Sequence, residues 1–501
     1  MSEARGVPRA VDESRDAVHP MAFDATDTLD FPAAWLERSA ADHPDRVALV
    51  APDGAAIVYR ELLARVRRLA AALRAAGIGS ADALGVTGLP VLPAALLVHA
   101  SARVGCALVP VDPRRPAQWR TALWLESGVG SALSSAAELG VLESMADAVE
   151  ADAPIRAAPD AVQLIVATSG SGGEPKGAML TGRNLAASVH ACRERLGLQG
   201  DDRWLLCLPV YHLGGLAILH RCLQAGACAV LHDGFEADRV WHDLVDRQIT
   251  HLSVIPAMLA HLLDVAGDAP APPALRRVLV GGAELSPALA ERAGRAGWPV
   301  CPSYGCAETG SLVAACLPEE RCPAGCVGRP LGAFDVQVVD EHGHPTWDVG
   351  RIRITGEAVM AGYANPERRP GLGLDGDWFT TGDLGRLDAG GRLWVTGRGD
   401  DIVVTGGENV HPRQVEETLR VCPGIGEVAV TSRPDPVWGA TLVAVYTGPI
   451  ERAALADWCR AHLHGAIRPR AFLRVDALPG VGAGKVDRAR LRGLAGGAVP
   501  G

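Results

Sequence analysis

The sequence predicts an α/β protein: a large N-terminal domain of mostly parallel sheets flanked by helices, an antiparallel β subdomain, and a small α+β C-terminal domain. Three observations predict it. Up to about residue 325, short apolar runs alternate with amphipathic helical patterns, the rhythm of parallel strands with helices packed on their faces. Beyond that point short strands are separated by Gly/Asp turns, which suits an antiparallel sheet. From residue 401 onward about a hundred residues carry their own helices and strands, enough for an independent domain.

In chain order, residues 1–28 form a polar tail of mixed charge without an apolar signal core. A domain over 29–397 and a second over 398–501 are expected after it. Residues 31–43 read as a helix with Trp35 and Leu36 on its apolar stripe, and 47–50 as a strand. Residues 59–75 read as a long amphipathic helix with Leu62, Val66, Leu69, Ala70 and Leu73 on one side. Short apolar strands are expected at 84–87, 107–111, 163–167, 205–209, 227–231, 252–255 and 278–280. The antiparallel region offers strands at 336–340, 351–355, 377–380 and 392–396. The last segment offers helices at 412–421 and 452–462 and strands at 428–431 and 441–447, with the 397–401 turn as linker.

A hydrophobic fraction of 48% and a charged fraction of 21% are those of a globular protein, and the 501 residues exceed one core. The net charge of −10 argues against nucleic acid as the partner. No run approaches a membrane span, because 89–111 is broken by Pro90, Pro93, His99 and Arg103. The twelve cysteines include no CxxC pair, and Cys316, Cys322 and Cys326 lack zinc-site spacing. They are expected to be small buried hydrophobes in a reduced, cytoplasmic setting. A homo-oligomer is left open.

The densest chemistry lies in TSGSGGEPKG, residues 168–177, where four glycines, hydroxyls and one lysine follow an apolar strand. Such a stretch is either a phosphate cradle of backbone N–H groups, hydroxyls and a cation, or a plain flexible loop. It is not a P-loop, since Gly177 follows Lys176 where Ser or Thr would stand. VGGAE (280–284) closes a strand with two glycines, where backbone can lie beside a planar ring. PSYGCAET (302–309) gathers an aromatic, a glycine and a carboxylate in one turn. TTGDL (380–384) places Asp383 at a strand end, suited to sugar hydroxyls, and GRGDD (397–401) groups a cation with two carboxylates. GKVDR (484–488) puts a lysine on a glycine-flanked loop. Each alone is also readable as an ordinary turn or a surface charge.

In this order and at these distances the islands resemble the AMP-forming acyl- and aryl-CoA synthetases, the adenylating superfamily that also holds luciferases and peptide-synthetase adenylation domains. The resemblance covers about residues 31–491 and includes the run GRGDDIVVTGGENVHPRQVEE (397–417). It implies that Thr168, Ser169, Gly170, Ser171, Gly172, Gly173 and Lys176 hold the ATP phosphates. Gly281, Gly282, Ala283, Ser303, Tyr304 and Gly305 would form the adenine pocket, Asp383 and Arg398 would hold the ribose, and Glu308 would bind Mg²⁺. Asp400 would be the hinge of a mobile C-terminal domain, and Lys485 the catalytic lysine bridging carboxylate and α-phosphate. One departure stands out: the family usually has threonine before the Mg²⁺ glutamate, and here it is Ala307. Thr309 is the neighbour whose hydroxyl could compensate.

Within the superfamily, residues 208–231 and DDIVVTGGENVHP are most similar to the o-succinylbenzoate:CoA ligases. His212, with Gly214 and Gly215, would then line the acyl pocket, or His212 is a capping or packing histidine. The implied activity is ATP-dependent conversion of a carboxylic acid to an acyl-adenylate, then transfer to the thiol of coenzyme A. No carrier segment with a phosphopantetheine serine follows Lys485, so CoA is the expected acceptor, with a carrier protein loaded in trans left open. The alternative from another class is a non-catalytic synthetase-like binding protein, for which Ala307 is the support.

Overall fold

The computed structural model describes residues 31–80, 82–145, 155, 158–168, 175–399, 403–405, 408–410, 412–435, 439–463, 465–481, 485–496 and 498–500. Two large sheets dominate. The first has nine strands, and its centre is parallel: Val300–Tyr304, Arg277–Val280, His251–Val254, Arg203–Leu206, Cys228–Leu231 and Val47–Val50 lie side by side. These strands are short apolar runs without alternation, as expected where both faces are covered. The second sheet has six strands. Ala107–Pro110, Ala83–Val86 and Ser131–Leu133 run parallel with Val162–Thr168. Val162–Thr168 then turns back antiparallel into Lys176–Thr181, a strand the sequence pattern did not announce because it begins on a lysine and a glycine.

The helices fill the space between. The helix Tyr59–Ala75 buries Leu62, Val66, Leu69 and Leu73, the stripe expected from its period. Trp35, Tyr59 and Trp204 are sealed within one core, where each large apolar side chain removed from water contributes ~1.5–3 kcal/mol. Gly182–Leu196 begins on a capping box between Thr181 and Asn184, so it starts immediately where the Lys176–Thr181 strand ends. Among the described residues no helix is long and apolar enough to cross a membrane.

The antiparallel subdomain has the strands Asp335–Val339, Gly350–Thr355, Phe379–Leu387 and Leu393–Arg398. The third differs from the expected 377–380: it runs nine residues, with a register shift between Leu384 and Gly385. Asp383 therefore sits inside a strand, beside a bulge, and not at a strand end. A bulge lets a polar GD step continue a ladder that its composition argues against. The C-terminal unit pairs Val428–Asp435 with Gly439–Tyr446 and adds Ala471–Arg474 and Val499–Pro500. Its helix Pro412–Arg420 is tied to the last helix, Arg488–Ala495, by the buried Glu416, which accepts from Val430 N at 2.7 Å and Arg488 Nη1 at 2.7 Å. Nearly every cysteine is buried, as expected, with Cys306 half-buried. Cys316 and Cys322 depart from the expectation: the 3₁₀ turn at Pro318–Glu320 and the left-handed Arg321 fold them back onto each other as a disulfide.

Candidate active site

Two of the islands, 280–284 and 302–309, meet because they leave the carboxyl ends of neighbouring parallel strands, the place where open α/β sheets bind ligands. Val280 lies opposite Pro302, so Gly281 and Ser303 emerge together. The Ser303 hydroxyl donates to Val280 O at 3.0 Å. A Cβ on Gly281 would sit 2.8 Å from that hydroxyl, so a side chain there would force the Ser303 hydroxyl off Val280 O. Gly282 has φ +76°, in the left-handed region that glycine tolerates. Gly305 is more constrained still, since a side chain there would run into the carbonyl of Ser311.

Tyr304 connects this corner to the antiparallel subdomain. Its hydroxyl donates to Asp383 Oδ2 at 2.8 Å, across 79 residues of sequence. Burial, and then the Asp383 charge, hold the phenol well above its ordinary pKa, so it stays a donor. Asp383 N in turn donates to Thr381 Oγ1 at 3.0 Å, and Arg398 Nη1 stands 3.9 Å from Asp383 Oδ1 on the paired strand. The pair is thus a carboxylate with free accepting capacity beside a cation, the chemistry that takes up vicinal hydroxyls.

Glu308 occupies the 3₁₀ turn Ala307–Thr309 and is nine-tenths buried. Ser188 Oγ donates to Gly310 O at 2.8 Å and Met360 N donates to Glu308 O at 2.7 Å, which fixes the turn from two sides. Its carboxylate accepts from the Tyr363 hydroxyl at 3.0 Å, and the Lys176 ammonium lies 5.2 Å from the centre of the Tyr363 ring. Tyr363 was not singled out from sequence. Its only signal is an aromatic after a glycine in GYANP, and its role rests on the pairing of Gly362–Tyr363 with the Lys176–Thr181 strand. A carboxylate held by a neutral donor next to a lysine offers hard oxygen ligands, which fit Mg²⁺ shared with phosphates. Cys306 beside it is no nucleophile, because burial, and then Glu308, keep its thiol far above the ordinary range.

Thr168 and Lys176 face each other as the last register pair of their two strands, which the glycine-rich stretch joins in sequence. Ser169, Gly170, Ser171, Gly172 and Gly173 lie outside the described residues, as does Asp400. Lys485 begins the short strand Lys485–Val486, paired with Gly480–Val481; its side chain lies outside the described residues. His212 precedes the helix Leu213–Ala225, and its carbonyl accepts from Gly215 N at 3.0 Å and Leu216 N at 3.1 Å. Its ring makes no cap bond and lies 4.9 Å from the Tyr211 ring. Gly214 leaves room for a neighbour, whereas a Cβ on Gly215 would lie 2.5 Å from Pro209 O, so main-chain packing requires that glycine. The Thr309 hydroxyl bonds to the Cys306 main chain at 3.1 and 3.2 Å and is sealed from solvent. It is therefore unavailable to replace the hydroxyl missing at Ala307.

The hairpin that joins Thr168 to Lys176, the strand-end corner of Gly281, Ser303 and Tyr304 tied to Asp383, and the separate C-terminal unit are the arrangement that the resemblance to AMP-forming, acid-activating ligases implies. The chain belongs to the AMP-binding enzyme family: that family matches residues 36–364, and its C-terminal domain matches residues 414–485. Among its relatives is the 2-succinylbenzoate–CoA ligase of Bacillus subtilis (strain 168), 30% identical over 474 residues, which are 91% of this chain and 97% of the relative. The B. subtilis o-succinylbenzoate CoA synthetase in complex with the acyl-adenylate intermediate OSB-AMP superposes with TM-score 0.83 at 30% identity, covering 91% of this chain and 97% of that one. A double mutant of that enzyme bound to its product analogue OSB-NCoA superposes with TM-score 0.68 at 30% identity, covering 92% and 98%.

Proposed function

We propose that this chain converts 2-succinylbenzoate and ATP to the acyl-adenylate and pyrophosphate, then transfers the acyl group to the thiol of coenzyme A. The observation that carries this reading is the likeness, over nearly the whole chain, to an enzyme held with its own acyl-adenylate. In the first half-reaction a carboxylate oxygen bonds to the α-phosphorus as the bond to pyrophosphate breaks. In the second, the CoA sulfur bonds to the acyl carbon, AMP leaves with the oxygen, and the thiol proton passes to solvent.

The residues then divide the work. Thr168, Ser169–Gly173 and Lys176 hold the β- and γ-phosphates until pyrophosphate departs, and Gly281–Ala283 with Ser303–Gly305 flank the adenine. Asp383 and Arg398 take the ribose hydroxyls. Glu308, oriented by Tyr363, would hold Mg²⁺, which supplies positive charge at the phosphates. Two anions must meet for the first step, and Lys485 neutralises them where charge develops. Rotation about Asp400 withdraws it, which frees that face for the thiol. His212 and Gly214 line the acid's end of the cleft, with Gly215 packing their helix against the loop before it.

ATP–pyrophosphate exchange across a panel of aryl, succinyl-aryl and fatty acids, followed by CoA addition, tests the reading. Exchange with 2-succinylbenzoate and thioester after CoA are expected. Silence across the panel would instead favour a non-catalytic binder, and a thioester formed only on an added carrier protein would replace CoA as acceptor. Ala307 gives a sharper check. With Thr309 committed to Cys306, Ala307→Thr restores a hydroxyl worth ~1.5 kcal/mol to a charged oxygen, or roughly a tenfold rise in the pyrophosphate-release rate. An unchanged rate would mean that the site compensates by another route.

A further inference from the structure

Arg413 stands in the first turn of the helix Pro412–Arg420, a position where the helix dipole disfavours a cation and where this helix has no acidic residue. It forms an ion pair with Glu284, the residue directly after the Gly281–Ala283 stretch at the nucleotide corner. Both side chains are only 26% exposed, so the pair is partly withdrawn from solvent screening. Glu284 and Arg413 lie 129 residues apart in sequence and belong to the N-terminal and C-terminal units. The Arg413 Cδ also lies 4.0 Å from where a Cβ of Gly397 would be, at the strand end preceding the linker. Glu417 and Arg420, on the same helix, face Glu284 as well. Burial, opposed by Arg413 and Arg420 and reinforced by Glu417, leaves the Glu284 carboxyl raised to about 7. The whole chain superposes better on the acyl-adenylate complex than on the CoA product-analogue complex of the same relative, at equal identity.

We propose that the Arg413–Glu284 ion pair is a positioning clasp that holds the C-terminal domain in the adenylating arrangement and opens for the CoA step. It resides on the wall of the nucleotide corner, so ATP bound against Gly281–Ala283 orders the same loop that the clasp grips. Neither side chain touches the reacting atoms; both act by placing the unit that carries Lys485. The proposal rests on the acid–CoA ligase reading above.

The test compares wild type, Arg413→Ala, Glu284→Gln and the charge swap Arg413→Glu with Glu284→Lys. Single-turnover pyrophosphate release from ATP and 2-succinylbenzoate is expected to slow about tenfold in each single variant, with CoA attack on supplied acyl-adenylate within about twofold of wild type. The swap is expected to recover most of the first step. Amide hydrogen exchange over residues 281–286 and 412–420 is expected to quicken at least about fivefold in Arg413→Ala with ATP bound, and to return in the swap. Equal loss of both half-reactions, an unslowed first step, or unchanged exchange would overturn the clasp. If wild type itself gives no pyrophosphate with that acid, the substrate reading fails while the exchange measurement still decides the clasp.

Discussion

Replacing Lys485 with alanine is expected to slow acyl-adenylate formation by roughly 10²–10³-fold, the usual cost of removing one preorganised group from a developing charge. The cause is specific to the first half-reaction. A carboxylate approaching a triphosphate meets repulsion at the attacking oxygen, and Lys485 is the cation the resemblance assigns to that point. Attack of a thiol on an acyl-adenylate brings no such pair together, so CoA transfer from supplied adenylate is expected within about threefold of wild type. The local fold is robust to the change: Lys485 is the terminal residue of a two-residue strand, and the neighbouring Arg488 already secures the segment through Glu416. Measuring pyrophosphate release and thioester formation separately checks this. Equal loss in both steps would contradict a lysine that serves one pose of a rotating domain, as would an adenylation rate that survives.

Much of the fold was legible because apolar runs and helical stripes depend only on local periodicity. The helix Tyr59–Ala75 and the strands ending at Val254 and Val280 follow their patterns closely. Glycine positions were legible too, since Gly282 and Gly305 answer to backbone geometry that any sequence must satisfy. What the pattern could not supply was partnership across the fold. Tyr363 orients Glu308 from 55 residues away, and nothing local to GYANP says so. Asp383 was read at a strand end because Gly-Asp normally ends strands, whereas a bulge carries the ladder through it. Thr309 looked available by its nearness to Glu308, and the 3₁₀ turn uses its hydroxyl to close on Cys306. The Arg413–Glu284 pair joins two surface-looking charges whose meaning exists only once two units are brought together.

Asp383→Ala is the second change expected to have a large effect, and it acts on binding. The carboxylate accepts the Tyr304 hydroxyl at 2.8 Å and stands 3.9 Å from Arg398, so its removal strands a partly buried donor and takes away the negative charge beside Arg398. An orphaned hydroxyl costs ~1–3 kcal/mol when fully buried and less when, like that of Tyr304, it is partly buried, and each lost charged hydrogen bond to a ribose hydroxyl a further ~1.5–3 kcal/mol. Taken together and discounted for non-additivity, a rise of roughly 10²-fold in the KM for ATP is expected, with a smaller fall in kcat. The structural part is separable from the binding part. Tyr304→Phe removes the same hydrogen bond without orphaning a donor and keeps the carboxylate beside Arg398, so it is expected to lower the melting temperature less than Asp383→Ala and to raise the KM for ATP far less. ATP-dependent exchange kinetics and thermal melts on both variants decide the matter. If Tyr304→Phe weakens ATP as severely as Asp383→Ala, the carboxylate is only a strut for the tyrosine and the ribose contact must be sought elsewhere.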